Sequence, residues 1–405
     1  MIQDSLTLPN GKILRNRIVK SALSEALGDE FNNPTDGLIN LFERWSKGGA
    51  ALLITGNTPI DRWHLEHAGN FVLDEMSDMD RVTRLAQAAK SGGAMILAQL
   101  SHAGRQTPEL INPHPLSMSN LRLDLPGYGV PKPATDSDFA YVIGQYVKSA
   151  ALAKHAGFDG VQIHAAHGYL LSSSLSPRIN TRKDQWGGTL DNRARLVIAV
   201  VQAVRAEVGA NFIIAAKLNS SDFQKGGFSH EDSIKVAKML EKEGIDFVEI
   251  SGGNFETPIA YQHTSKKEST IAREAYFLDY AKDIKAVLDI PVMVTGGFRS
   301  ASVMNEALCA DATDLIGIGR PFIIDPEFPA KLLSGEIDMA PAIERNFLPT
   351  NELPGGAALN WFCHQLALHG ANGEANTSVS IIEGHNYYLA RIKSMTDTLL
   401  KTRVK

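Results

Sequence analysis

Of the 405 residues, 44% are hydrophobic and 21% are charged, and the formal net charge is −5. This composition can bury a large core in one α/β barrel or in two domains. Acidic and basic residues are interspersed, so we expect neither a nucleic-acid partner nor attachment to a membrane. Two cysteines, Cys309 and Cys363, are too few for a disulfide framework or an iron–sulfur centre. The N-terminal residues have no signal-peptide pattern and so few cysteines suit a reducing compartment, so we expect a cytoplasmic protein. Because polymer partners are not expected, we expect a small-molecule substrate.

The first 16 residues predict a β-hairpin. The segment LTLPNGKILRNR (6–17) places an Asn-Gly turn between two short alternating runs. We expect this hairpin to cap the bottom of the domain that follows.

Eight short apolar runs then alternate with helical patterns. The runs are RIVKSA (17–22), ALLITG (51–56), AMILAQL (94–100), GVQIHA (160–165), FIIAAKL (212–218), DFVEIS (246–251), IPVMVTG (290–296) and DLIGIG (314–319). Periodicity near 3.6 residues predicts helices over 79–93, 192–209, 229–244 and 278–288. Buried parallel strands that alternate with amphipathic helices predict a single (β/α)8 TIM barrel, an α/β fold. An open doubly wound sheet is the alternative.

Two connections are too long to be simple turns. They span 101–139 after the third strand and 252–274 after the sixth, where long barrel loops usually cover a site. The strand–helix pattern stops after residue 335. We therefore expect a barrel of residues 1–335 and an extension of residues 336–405 that packs on it, a candidate contact surface for a homo-oligomer.

The segment HAAHGYLL (164–171) follows the fourth predicted strand, and the C-terminal ends of barrel strands converge on one pocket. His164 and His167 can donate together to one oxygen, and Tyr169 can offer a proton beside it. Such a set suits the reduction of a bond conjugated to a carbonyl. Ordinary loop histidines and half of a metal site are the alternatives. Because no clear third ligand accompanies the pair, we predict no metal.

Glycines follow the last two strands, as Gly296-Gly297 and Gly319-Arg320. In barrels these two loops often bind phosphate, because backbone N–H groups can approach the anion and an arginine can donate two hydrogen bonds to its oxygens. The alternative is that the glycines only permit tight turns.

Three other strand-end side chains suit a flavin. Gln99 can both donate to and accept from a ring with alternating donors and acceptors, such as the pyrimidine edge of a flavin. Lys217 can stabilise the negative charge of the reduced ring, and Ser24 can donate to the carbonyl beside N5. Solvated side chains without such roles are the alternative.

Seven segments together resemble the Old Yellow Enzyme family of FMN-dependent NAD(P)H oxidoreductases. They cover roughly residues 1–335 in family order: RIVKSALSE, QLSHAGR, HAAHGYLL, SPRINTRKDQWGGTLDNRARL, EISGG, TGGF and IGIGR. The resemblance implies FMN at the top of the barrel and NADH or NADPH as reductant. The predicted cofactor-binding residues are Ser21, Ala22, Ser24, Gly56, Gln99, Lys217, Gly296, Gly297, Gly319 and Arg320.

The resemblance also implies an ene-reductase. His164 and His167 would grip the carbonyl oxygen of an activated alkene, hydride would pass from flavin N5 to its β-carbon, and Tyr169 would protonate the α-carbon. Alternatives are an FMN-dependent NAD(P)H oxidase or dehydrogenase with different substrate chemistry, a phosphate-binding isomerase without flavin, and a non-catalytic FMN-binding module.

Two positions depart from the family pattern. The first strand ends in Ser-Ala-Leu-Ser (21–24) where many members carry proline and then threonine or cysteine, so we expect no thiol-based tuning of the flavin. Lys217 stands where arginine is more common, and lysine keeps the charge but loses the planar fork.

Overall fold

A computed structural model describes residues 1–253, 256, 274–347 and 352–403. Its centre is a closed barrel of eight parallel strands. In chain order these are β3 (Ile18–Lys20), β4 (Leu52–Pro59), β5 (Met95–Ser101), β8 (Gly160–Ala165), β9 (Ile213–Asn219), β10 (Phe247–Ser251), β11 (Val292–Thr295) and β12 (Leu315–Ile318). The last strand pairs with the first, which confirms the predicted TIM barrel and excludes the open sheet.

Helices cover the outside of the barrel. They are α1 (Asp36–Lys47), α2 (Met79–Lys90), α3 (Asp136–His155), α4 (Leu170–Leu175), α5 (Leu190–Val208), α6 (His230–Lys242), α7 (Leu278–Lys285), α8 (Ala301–Cys309), α9 (Pro321–Ile324) and α10 (Phe328–Ser334). Strands β4, β8 and β9 are buried along their whole length, because helices pack outside them and side chains fill the interior.

Side-chain caps fix where several helices begin. The capping residues accept a backbone N–H from the first turn, which satisfies a donor that has no partner inside the helix. They are Thr35 for α1, Asp78 for α2, Thr135 for α3, Thr189 for α5 and Ser229 for α6.

The N-terminal hairpin is present. Strand β1 (Leu6–Thr7) pairs with β2 (Ile13–Leu14) in antiparallel register. Leu8 and Leu14 are buried in one cluster with inward-facing strand residues such as Leu52 and Phe247. The hairpin therefore closes one end of the barrel interior, as the Asn-Gly turn predicts.

The prediction of one loop over 101–139 is wrong at its C-terminal end. Helix α3 begins at Asp136, because Thr135 and Asp138 form a capping box in which each side chain accepts a backbone N–H of the other residue. Within the connection, β6 (Leu116–Ser117) and β7 (Lys132–Pro133) form a small parallel pair. Most of the other predicted loop, 252–274, lies outside the described residues.

The described residues after the barrel include the helices α11 (Ala357–Asn372) and α12 (Ile381–Arg403). Helix α11 packs against α1, where the Arg44 guanidinium donates to His369 Nδ1 at 3.1 Å. Trp361 is 1% exposed and belongs to the main hydrophobic core. The division at residue 335 stays a prediction. Across the described part of the chain, no helix is long and apolar enough to cross a membrane.

Candidate active site

A cavity of about 280 Å3 lies at the C-terminal ends of the barrel strands. Its lining includes all but one of the residues predicted from the sequence to bind cofactor or act on substrate. These are Ser21, Ala22, Ser24, Gln99, His164, His167, Tyr169, Lys217, Gly296, Gly297, Gly319 and Arg320. The barrel thus brings together side chains that are far apart in the chain, while their individual roles stay predictions.

Gly56 is the exception and lies behind the cavity wall. Its N–H donates to Glu25 Oε2 at 2.9 Å, and Glu25 also accepts from the buried Lys20 ammonium at 2.8 Å. A Cβ on Gly56 would lie 1.9 Å from the Leu23 carbonyl oxygen, so no other residue fits there without a shift. Through its hydrogen bond to Glu25, Gly56 supports the loop that follows β3.

The two predicted oxygen-binding histidines lie edge to face, with ring centroids 5.1 Å apart. The Ala166 N–H donates to His164 Nδ1 at 3.2 Å, so the proton of the neutral His164 ring is on Nε2. Burial lowers the pKa of His164 well below its ordinary value, and the charges of His167 and Lys217 add to the effect. Burial and then Lys217 lower the pKa of His167 to about 3. Both rings are therefore neutral at physiological pH.

The backbone at His167 has an uncommon conformation, with φ of 62°, in the left-handed region that non-glycine residues rarely adopt. Its N–H donates to Asn219 Oδ1 at 3.1 Å, and its ring Nε2 lies 2.8 Å from Ser251 Oγ. The Asn219 amide is itself held by Asp222 and by the Gly253 carbonyl. Contacts from strands β9 and β10 thus fix a backbone that would otherwise relax, as is common at functional sites.

Tyr169 packs beside the histidine pair, with its ring centroid 4.9 Å from that of His164. The Asn57 amide Nδ2 donates to the Tyr169 hydroxyl oxygen at 2.9 Å and to Glu66 Oε2 at 2.7 Å. Ser24 Oγ also donates to the Glu66 carboxylate, at 3.0 Å. In this arrangement the single Ser24 proton is directed to Glu66, whereas the sequence prediction directs it to a flavin carbonyl.

Asn57 and Glu66 both line the cavity, and the sequence prediction gave neither a cofactor-binding or catalytic role. Asn57 follows the second predicted strand, a position that does indicate a strand-end polar group. Glu66 lies nine residues further along an irregular segment, and no spacing in the sequence brings it to the site.

Gln99 and Lys217 belong to one buried chain of polar groups. Gln99 Nε2 donates to Gln162 Oε1 at 2.7 Å, and Gln162 Nε2 donates to Glu249 Oε2 at 2.7 Å. Lys217 Nζ lies 2.8 Å from Glu249 Oε1 and completes the chain. Glu249 and Gln162 are fully buried and do not line the cavity, and the sequence prediction did not include them.

The part of the cavity formed after the last two barrel strands contains three glycines and two arginines: Gly296, Gly297, Gly319, Arg299 and Arg320. Gly297 has φ of 92°, and a Cβ there would lie 2.8 Å from the Ala275 nitrogen, so the turn requires glycine. Arg299, absent from the sequence prediction, lines the same part of the cavity and donates to Glu344, which lies 3.9 Å from Arg320. Two guanidinium groups thus share the Glu344 carboxylate, and a second carboxylate, Glu274, accepts the Arg299 backbone N–H at 2.6 Å.

The ionisation of these groups follows from their surroundings. Burial lowers the pKa of Arg299, against the opposing effect of Glu344. Burial alone would raise the pKa of Glu344, but Arg299 and Arg320 hold it below its ordinary value. The carboxylate is therefore ionised beside both cations.

Helix α11 forms one wall of the cavity, which the sequence did not predict. Its lining residues are Ala358, Leu359, Phe362, Cys363 and Leu366. Cys363 Sγ lies 3.5 Å from the Ser24 carbonyl oxygen, and burial raises the pKa of its thiol to about 12. A protonated thiol is a poor nucleophile, so Cys363 acts as a small apolar side chain in the cavity wall.

A group of side chains with metal-ligand chemistry lies outside the cavity lining. Asp61, His64 and His102 are buried, with ligand atoms within 4.8 Å of one another. His64 Nδ1 faces Asp61 at 2.9 Å, while His64 Nε2 accepts the Leu116 N–H at 3.2 Å. Both His64 nitrogens already have partners, so His64 links Asp61 to the segment that contains β6 by hydrogen bonds.

The donor set of the cavity fits FMN. An amide and an ammonium, from Gln99 and Lys217, match a ring that presents alternating donors and acceptors and gains negative charge on reduction. The glycine turns with Arg299 and Arg320 match a phosphate. A closed parallel barrel with these groups at the C-terminal ends of its strands belongs to the class of barrel enzymes that bind a phosphate-bearing cofactor.

Comparison with known proteins identifies the family. Residues 5–338 match the NADH:flavin oxidoreductase / NADH oxidase family. The NADH-dependent flavin oxidoreductase nadA of Aspergillus parasiticus is 36% identical over 339 residues, which are 80% of this chain and 76% of that protein. The NADH oxidase of Thermoanaerobacter brockii is 31% identical over 331 residues, 80% of this chain and 49% of that protein.

Solved structures agree in fold. A 2-naphthoyl-CoA reductase superposes with a TM-score of 0.78 at 26% identity, over 84% of this chain and 53% of that chain. An old yellow enzyme homologue from Zymomonas mobilis superposes with a TM-score of 0.71 at 24% identity, over 87% of this chain and 97% of that chain, which shows the fold alone. This chain thus spans about half the length of the naphthoyl-CoA reductase chain.

The chain belongs to the NADH:flavin oxidoreductase / NADH oxidase family, which is the Old Yellow Enzyme family that its motifs resemble. It is an oxidoreductase with FMN as cofactor and NADH as reductant.

Proposed function

We propose that this enzyme uses NADH to reduce the C=C bond of α,β-unsaturated carbonyl compounds or similarly activated alkenes. The observation that carries the proposal is the meeting of His164, His167 and Tyr169 in one cavity with Gln99 and Lys217. When bound, FMN supplies the hydride that NADH delivers to it, and the β-carbon of the substrate receives that hydride.

The histidine pair binds the substrate carbonyl oxygen. His164 donates from Nε2, since its Nδ1 already accepts the Ala166 N–H. His167 donates from Nδ1 when the Ser251 hydroxyl donates to its Nε2, across the 2.8 Å contact between them. Two fixed N–H groups in a buried site stabilise the negative charge that develops on the oxygen as hydride arrives.

Tyr169 supplies the proton to the α-carbon. Because the Asn57 amide donates to the phenol oxygen, the Tyr169 O–H bond points away from Asn57. The same amide is anchored on Glu66, so the phenol oxygen is held in one position. A fixed donor within reach of the reacting carbon is what general acid catalysis requires.

Anaerobic stopped-flow experiments with the FMN-loaded enzyme test the proposal. In a His164→Ala/His167→Ala variant, flavin reduction by NADH stays within a few-fold of the wild type. Reoxidation of the reduced flavin by 2-cyclohexenone slows by about 100-fold or more, the usual cost of losing donors to a developing oxyanion. His230→Ala is the matched control, because His230 pairs with Asp283 on the outer helices. Equal losses in both half-reactions would contradict the assigned role.

A further inference from the structure

Behind the cavity wall, two fully buried residues connect Gln99 to Lys217. Gln99 and Gln162 are register neighbours on β5 and β8, and Lys217 and Glu249 are register neighbours on β9 and β10. Gln162 and Glu249 touch neither solvent nor the cavity. Their hydrogen bonds, both 2.7 Å, cross between strands of a closed barrel, so the four side chains cannot move independently.

The Glu249 carboxylate, paired with the Lys217 ammonium, sets the direction of both hydrogen bonds in this chain. A carboxylate can only accept, so Gln162 must turn its Nε2 towards Glu249 and its Oε1 towards Gln99. Gln99 must then turn its Nε2 towards Gln162. One orientation of the Gln99 amide therefore remains, with Oε1 and the second N–H available to a ligand in the cavity.

Glu249 also balances the charge of Lys217. Their charged atoms lie 2.8 Å apart, and the side chains are 0% and 5% exposed. In such a place a charge is weakly screened by water and acts strongly on its surroundings. A cation near the flavin ring favours reduction, and a neighbouring carboxylate reduces that effect.

We propose that Gln162 and Glu249 are positioning residues of the FMN site. Gln162 fixes the Gln99 amide in the orientation that the flavin ring meets, and Glu249 lowers the reduction potential of FMN by offsetting the charge of Lys217. The proposal rests on Gln99 and Lys217 facing the flavin ring, the placement assumed in the proposed function.

A Gln162→Met variant tests the orientation. Methionine has a similar volume but can neither accept from Gln99 nor donate to Glu249 through an amide. It therefore no longer fixes the orientation of the Gln99 amide. Titration of the apoprotein with FMN, followed by fluorescence quenching, is expected to show a Kd raised roughly three- to thirtyfold, the cost of about one hydrogen bond or one unpaired polar group. Gln145→Met is the matched control, because Gln145 is a buried glutamine whose Nε2 donates to the Ile60 carbonyl outside the site. A Gln162→Met protein that binds FMN as tightly as the wild type overturns this half of the proposal.

A Glu249→Gln variant tests the charge. The midpoint potential of bound FMN, measured against a reference dye, is expected to rise because Lys217 is no longer neutralised. Asp246→Asn is the matched control: it removes a buried carboxylate one residue before the same strand, at the other end of the barrel, where Asp246 accepts the Ile214 N–H. An unchanged or lowered potential in Glu249→Gln overturns this half.

A double variant covers the case in which Glu249→Gln alone does not fold. In Lys217→Gln/Glu249→Gln no charge is buried alone, and the potential is expected to lie closer to wild type than that of Lys217→Gln. A double variant with the same potential as Lys217→Gln means that Glu249 contributes nothing.

The Gln99→Ala and Lys217→Gln variants distinguish an error in the placement of FMN from an error in the roles of Gln162 and Glu249. If both leave the FMN Kd and the midpoint potential unchanged, the placement of FMN in the proposed function is wrong. If they change these quantities while the Gln162 and Glu249 variants do not, only the further inference fails.

Discussion

The Asn57 amide nitrogen lies 2.9 Å from the hydroxyl oxygen of Tyr169 and 2.7 Å from Glu66. One planar NH2 group thus holds the phenol and the carboxylate in fixed positions. It joins the loop after the second barrel strand to the loop after the fourth. Because Tyr169 is also packed against His164, its position is set from both sides.

This relationship predicts that Asn57→Leu slows protonation of the substrate. The variant keeps the volume but cannot donate, so the Tyr169 hydroxyl oxygen and the Glu66 carboxylate both lose the Asn57 N–H groups. We expect enone-driven reoxidation of the flavin to slow roughly tenfold, which is part of the ~10²- to 10⁴-fold that general acid catalysis contributes, with reduction by NADH nearly unchanged. Anaerobic stopped-flow absorbance measures both rates.

Tyr169→Phe provides the comparison for Asn57→Leu. If Asn57 acts through Tyr169, the double variant should be hardly slower than Tyr169→Phe alone, because interacting residues are not additive. Fully additive losses in the double variant would show that Asn57 acts on something other than the phenol.

Ser251 is predicted to select the ring tautomer of His167. Its hydroxyl lies 2.8 Å from His167 Nε2, and only donation from Ser251 leaves the ring proton on Nδ1. We expect Ser251→Ala to slow enone-driven reoxidation about tenfold, the loss of part of one oxyanion donor. Ser251→Thr should restore the rate, since threonine keeps the hydroxyl.

The control for Ser251 is Ser149→Ala. Ser149 is a fully buried serine on α3 whose hydroxyl donates to the Leu73 carbonyl, away from the cavity. A similar slowing in Ser149→Ala would indicate a general loss of packing and would remove the tautomer argument.

The barrel could be predicted from the sequence because its signal is local and repeated. Each strand is a continuous apolar run, and the observed β8 (Gly160–Ala165) has the predicted bounds. The start of α3 was missed because its capping box, Thr135 with Asp138, lies in a stretch dominated by proline and small polar residues. Boundaries of this kind depend on side-chain hydrogen bonds more than on periodicity.

Part of the site could be predicted because the C-terminal ends of all the barrel strands meet at one pocket. The positions of Gln99, His164 and Lys217 near the ends of apolar runs predict that they lie at this pocket. Glu66 and Phe362 could not be found in this way, since their distance from the site depends on how an irregular loop and a C-terminal helix pack. Glu249 lies inside a strand run, and its role depends on a partner, Lys217, that only the register reveals.

The buried histidines predict a loss of stability in acid. The pKa of His167 is lowered by burial and by Lys217 to about 3, so the unfolded chain binds a proton more readily than the folded protein. The contribution of His167 to stability is therefore complete above pH 6.5 and is lost as the pH falls towards 3. Between pH 7 and pH 4.5 the free energy of unfolding should fall by up to about 2.7 kcal/mol from this residue.

Urea unfolding of the wild type and of His167→Gln at several pH values measures this contribution. The variant has no imidazole to titrate, so its stability should fall less steeply between those pH values. Equal slopes for the two proteins would mean that His167 is as easily protonated in the folded protein as in the unfolded chain.

The two cysteines are predicted to differ sharply in reactivity. Cys309 is exposed at the end of α8, whereas Cys363 is buried and its thiol pKa is raised by burial to about 12. Titration of the native protein with a thiol-specific disulfide reagent should therefore modify one cysteine, and titration in denaturant should modify both, because only a thiolate that the reagent can reach attacks it. Cys309→Ser should abolish the fast native reaction, while Cys363→Ser should leave it intact. Rapid native modification of Cys363 would show that the reagent reaches this thiol through the cavity that it lines, and bound FMN should then slow that modification.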